Sequence, residues 1–186
     1  MQFENKTLIH ELLLLSHQST QAALQFKNLP IEQLNFRETE NSWSALQCLD
    51  HLNKYGEFYL PEIDKQILNN PVQNQQLSFK SGVLGNYFAN LMQVKSGQLK
   101  KMKSPKDKAP SNSGLTLITI DKFLKQQERL IQLLTDAQAI NLTTAKTPIS
   151  LSKLIKLRLG DTLRFYVYHI DRHVIQAQTA VKTMAR

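Results

Sequence analysis

A single cysteine, Cys48, rules out an internal disulfide in this chain of 186 residues. The first residues lack the basic, apolar, small-residue order of a signal peptide, so a reducing cytoplasm is the expected compartment. Long hydrophobic runs are missing as well. The longest near the N-terminus, residues 12–15, falls far short of the ~20 residues that span a bilayer, so no membrane partner is expected and the protein reads as soluble. No segment sustains the apolar–polar alternation of a strand, and no internal repeat or low-complexity array is present. With 41% hydrophobic residues the chain can bury one sizeable core and is too short for two full domains, so residues 1–186 are read as one domain.

The formal charge of +8 is unevenly placed. Residues 1–70 hold 5 Lys/Arg against 9 Asp/Glu, whereas residues 71–186 hold 18 against 6. Such asymmetry can mark a nucleic-acid or membrane surface. Here Lys100, Lys101, Lys103, Lys106 and Lys108 cluster in a segment containing Pro105 and Pro110 that reads as an exposed loop, without interleaved aromatics to stack bases. A solvated basic surface explains them better, and nucleic acid is disfavoured as a partner.

Helical patterns dominate the remainder. A first helix is expected over residues 4–26, ending as Pro30 approaches, and a short helical turn after that proline. The second starts in SWSALQCLDHL, where Ser44 and Gln47 form a capping-box pattern and Trp43 is placed to staple onto Cys48. It continues to residue 68, with a bend expected at Pro61. Residues 71–117 form the longest irregular tract, relieved by one amphipathic helix in FKSGVLGNYFANLMQ, whose apolar positions are Val83, Leu84, Tyr87, Phe88, Leu91 and Met92. A connection this long is often functional, so it is expected at the rim of a cleft or in a subunit contact. The third helix is expected over residues 118–138. The fourth is expected over residues 150–183, loosened at Gly160-Asp161. The economical packing is an all-α, up-and-down four-helix bundle with a long connection between helices two and three.

Chemistry concentrates in the last helix, FYVYHIDRHVIQAQ, where His169 and His173 stand four apart on an apolar background. Residues at that spacing lie one turn apart on nearly the same face, so two imidazoles can aim at a common point, which is metal-ligand geometry. A third ligand has to come from elsewhere. His51 is the best placed, on the helix-two face that carries Cys48 and Tyr55 and reads as inward. A lone histidine on such a face is more often a hydrogen-bonded core residue, but two adjacent buried imidazoles are harder to satisfy. His10 and His17 are set aside because polar neighbours turn them toward solvent. The zincin motif HExxH needs a glutamate directly after its first histidine, and Ile170 occupies that position, which disfavours metalloprotease chemistry. Asp171 and Arg172 project away from the histidine face and are read as exposed or as bundle-surface contacts. Cys48, three residues before His51, is read as a small buried hydrophobe ahead of a soft ligand or nucleophile, and Tyr55, Tyr166 and Tyr168 as packing groups near the histidines. No catalytic base or separate cofactor-binding motif stands out.

The Trp-Ser helix start with a histidine in helix two, followed by GDTLRFYVYHIDRHVIQA, resembles the DinB superfamily of DinB/YfiT-like metalloenzymes, and the likeness extends over nearly the whole chain. The resemblance implies a four-helix bundle holding a divalent metal, nickel or zinc, on three histidines, which here are His51, His169 and His173. It also implies a metal-dependent transferase, such as a thiol S-transferase acting on a low-molecular-weight thiol as small-molecule substrate, or a hydrolase. The alternatives are a non-catalytic metal- or ligand-binding stress protein and an interaction module. A homodimer is compatible with such a bundle.

Overall fold

A computed structural model of the chain describes residues 1–70, 78–95 and 102–184. Its helices are α1 (Asn5–Phe26), α2 (Ile31–Asn35), α3 (Ala45–Asn69), α4 (Val83–Met92), α5 (Leu117–Asp136) and α6 (Leu159–Met184). Four short strands accompany them: β1 (Gln2–Glu4), β2 (Ser78–Lys80), β3 (Lys146–Ile149) and β4 (Ser152–Arg158). The chain is therefore predominantly α. No helix among the described residues is long and apolar enough to cross a membrane.

The helix starts follow local chemistry. Ser44 accepts from the Gln47 amide at 3.2 Å while the Gln47 side chain accepts from the Ser44 amide at 3.1 Å, a complete capping box at the head of α3. Pro61 lies within α3 and does not end it. Thr116 caps α5 through its hydroxyl. The four long helices bury one shared core, in which α3 packs on α5 and α6, and α1 packs on the same two. Leu12, Leu46, Leu49, Leu52, Phe123, Leu130 and Leu163 are fully enclosed there. Burying a side chain of this kind contributes roughly 1.5–3 kcal/mol.

Three expectations need correction. Strands exist, in two antiparallel pairs: β1 with β2, and β3 with β4, the latter closing through Ser150-Leu151 with a register shift at Pro148/Ile149. The last helix begins at Leu159 rather than at residue 150, because residues 146–158 form that hairpin. Tertiary anchors hold it: the Tyr59 hydroxyl accepts from the Ser150 amide at 3.2 Å, and the Leu159 and Gly160 amides donate to the Ala145 and Leu142 carbonyls. Gly160-Asp161 thus opens the helix instead of interrupting it. Finally, α4 forms as expected, but only Phe88, Leu91 and Met92 of its apolar set turn inward. Its buried positions are Gly85, Ala89 and Met92, leaving Val83, Leu84 and Tyr87 exposed.

The inward turn of α4 follows from a buried polar cluster. The Asp161 carboxylate accepts from the Gly82 amide at 2.8 Å, from the Ser81 hydroxyl and from Arg164 Nη1 at 3.4 Å. The same guanidinium nitrogen reaches Asn86 Oδ1 at 3.1 Å, and the group stacks over Phe3. A Cβ on Gly85 would sit 2.4 Å from this carboxyl group, so only glycine lets α4 approach α6 here.

Candidate metal centre

Helix α3 delivers His51, and α6 delivers His169 and His173, to one point between the two helices. His51 and His169 are buried and His173 is half-buried. One ring nitrogen from each lies within 4.8 Å of the other two, and the ring centroids are 4.6–5.1 Å apart. All three residues singled out in the sequence are thus brought together, and no cysteine, aspartate or glutamate among the described residues joins them.

Hydrogen bonds assign the protons. His51 Nδ1 stands 2.7 Å from the Lys108 carbonyl, which can only accept, so this nitrogen carries the hydrogen and Nε2 keeps its lone pair. His173 Nδ1 likewise faces Gln176 Oε1 at 2.9 Å. His51 and His173 then each turn an unprotonated Nε2 toward the cluster. His51 Nε2 and His169 Nε2 are 3.2 Å apart, close to the ~3.3 Å that separates two nitrogens each ~2.0–2.1 Å from a tetrahedral zinc. His169 Nδ1 is buried with no hydrogen-bond partner among the described residues.

Burial keeps all three rings neutral. It lowers the His51 pKa to about 4, helped by the Lys54 and Lys108 cations and opposed by the Lys108 carbonyl and Asp50. It lowers His173 to about 3, with His51 adding to the effect, and holds His169 well below the ordinary histidine range, reinforced by His173 and His51. Neutral imidazoles with inward lone pairs are the donor form that divalent cations of the zinc, nickel, iron and copper series accept. The residues therefore fit a metal ion.

Aromatic rings wall the cluster. Trp43 lies 4.9 Å from the His51 ring and stacks on His173 at 5.5 Å. Tyr55 is 4.4 Å from His169, and Phe165 stacks on that ring at 5.8 Å. Burial raises the Tyr55 hydroxyl pKa to about 12, so it stays a neutral phenol. The role of Trp43 at the histidines escaped sequence reasoning, which assigned it to the helix cap. The Lys108 carbonyl and Gln176 were missed too. A backbone acceptor leaves no trace in residue type, whereas Gln176, three residues past His173, was a signal that helical spacing offered.

Other candidates separate from the site. Cys48 is enclosed in the core, its thiol pKa driven up by burial. Tyr166 is buried in the core, and the Tyr168 hydroxyl donates to Glu11 at 2.9 Å. His10 and His17 face solvent. Arg172, read as exposed or as a bundle-surface contact, is buried, which corrects the exposed reading, and Asp171 is half-buried with its carboxyl pKa raised by burial. Of the lysine cluster, Lys103 and Lys106 are exposed, Lys108 is half-buried over the Phe58 ring, and Lys100 and Lys101 lie outside the described residues.

A family model described as the DinB superfamily matches residues 14–177, most of the chain, and the protein belongs to that superfamily. Neither curated proteins nor solved structures yielded a match.

Proposed function

We propose that this member of the DinB superfamily holds one divalent metal ion, zinc or nickel, on His51, His169 and His173, and acts as a metal-dependent transferase on a small thiol or as a hydrolase. The observation that carries the reading is the convergence of three neutral imidazoles from two helices, two of them with their outer nitrogens already committed as donors. Three neutral ligands leave a cation its full charge and open positions, the pattern of catalytic rather than structural sites. Such an ion supplies Lewis acidity, enough to ionise a thiol or polarise an electrophile near neutral pH.

The chain's own part is binding and orientation. The Lys108 carbonyl and Gln176 fix the outer faces of His51 and His173, while Trp43, Tyr55 and Phe165 shield the cluster from water on their sides. Half-buried His173 marks the side open to a small molecule. Among the described residues no carboxylate joins the three histidines as a further ligand, and Lewis acidity alone needs no positioned protein base.

That same feature favours a second reading, a non-catalytic metal- or ligand-binding protein. A thiol-conjugation assay with zinc- or nickel-loaded protein and a panel of electrophiles separates them. Turnover that disappears in His169→Ala supports the transferase. Metal retained without turnover of thiols or of a panel of hydrolysable esters and amides favours the binder.

A further inference from the structure

Residues 108–111, in the described part of the connection between α4 and α5, lie along α3 beside the histidine cluster. Gln47, Asp50, His51 and Lys54 occupy one stripe of α3, at i, i+3, i+4 and i+7, and all four grip residues 108–111. Gln47 Nε2 donates to the Ser111 carbonyl at 3.2 Å, and the Asp50 carboxylate accepts from the Ser111 amide at 2.8 Å. His51 Nδ1 donates to the Lys108 carbonyl at 2.7 Å, and Lys54 Nζ to the Ala109 carbonyl at 2.6 Å. Lys108 returns the contact, its ammonium donating to the Lys54 carbonyl at 3.2 Å. Pro105 and Pro110 restrict the backbone on either side, and a 3-10 turn over Lys106–Lys108 aims the carbonyl.

We propose that this strap is the outer shell of the metal site, and that Asp50 is a positioning residue which, by holding the strap in register, keeps the proton of His51 on Nδ1 and its Nε2 lone pair turned toward the cluster. The proposal rests on the reading of His51 as a ligand. Asp50 is the suited anchor because its carboxylate serves two tethers at once: it takes the Ser111 amide, and it pairs at 3.1 Å with Lys54, whose ammonium grips Ala109. Without it both tethers loosen, and the Lys108 carbonyl no longer dictates which nitrogen of His51 carries hydrogen. Outer-shell acceptors of ligating histidines commonly set metal affinity by ~10–100-fold.

Two measurements test this on the full chain. Long-range ¹H–¹⁵N correlation on metal-free protein at neutral pH reads the tautomer of His51 with no metal involved. The wild type is expected to show the Nδ1–H form alone, and Asp50→Ala a mixture of both forms; an Nε2–H tautomer in the wild type, or an unchanged spectrum in the variant, overturns the strap's role. Competitive zinc titration is expected to show Asp50→Ala weakened ~10-fold or more, with Asp50→Asn, which keeps an oxygen for the Ser111 amide, recovering part of the loss. Equal zinc affinity in wild type and Asp50→Ala overturns the proposal while leaving the metal site standing. Failure of the wild type to bind zinc or nickel overturns the ligand reading beneath it.

Discussion

His51 Nε2 and His169 Nε2 face one another at 3.2 Å across the α3–α6 interface, although they stand 118 positions apart in the chain. Two lone pairs do not rest against each other at that distance; a proton or a cation has to lie between them. With a cation, His51 and His173 keep their outer hydrogen bonds to Lys108 and Gln176 unchanged. The consequences for pH, packing and reactivity follow from that arrangement.

Metal-free protein should lose stability on mild acidification. The three histidines have folded pKa values depressed by burial, to about 4 for His51 and about 3 for His173, against ~6.5 in an unfolded chain. Below pH ~6.5 the unfolded state therefore binds more protons, and stability falls until the folded-state values are reached; above it the rings are neutral in both states and contribute no slope. Urea unfolding from pH 8 to 4.5 should show a midpoint flat at the alkaline end and declining below ~6.5, by up to about 1.4 kcal/mol per pH unit for each ring. His51→Asn should shallow the decline.

Asp161→Ala should be among the most damaging single changes. It removes the carboxylate that receives Ser81 and Gly82 and leaves the Arg164 guanidinium, only 2% exposed, without its counter-charge. Breaking one side of a buried ion pair costs about 3–5 kcal/mol. Urea melts of the variant measure this directly, and a loss under ~1 kcal/mol would show that the cluster does not tie α4 to α6.

Cys48 should be silent toward thiol reagents until the protein unfolds. Its side chain is fully enclosed and its thiol pKa is driven up by burial. Labelling with a disulfide reagent in native buffer should be negligible and become complete in denaturant. Cys48→Ala should retain full metal content while costing about 1 kcal/mol of stability through the small cavity it leaves.

Much of this was legible wherever the signal is local. The Ser44–Gln47 capping box, the Pro30 boundary and the His169–His173 spacing each depend on residues within one helical turn, and each is found in the structure. The hairpin before α6 was not legible, because LSKLIKLRLG reads as one continuous amphipathic helix. Its apolar residues do not mark a buried face, since Leu154 and Ile155 are exposed and only Leu157 is buried, and one of its anchors, Tyr59, is distant in sequence. The apolar set of α4 is only partly buried for a related reason: the close approach through Gly85 depends on the Asp161–Arg164 pair of α6, a contact between helices that hydrophobic periodicity does not record. Three histidines could be chosen from the chain, but the Lys108 carbonyl that orients one of them belongs to a backbone.

Metal content tests the central claim most directly. Elemental analysis of protein purified without chelator or nickel resin should find close to one divalent metal ion per chain, and the His169→Ala/His173→Ala double variant should contain none. Stoichiometric metal in that double variant, or none in the wild type after incubation with zinc or nickel salts, would contradict the account.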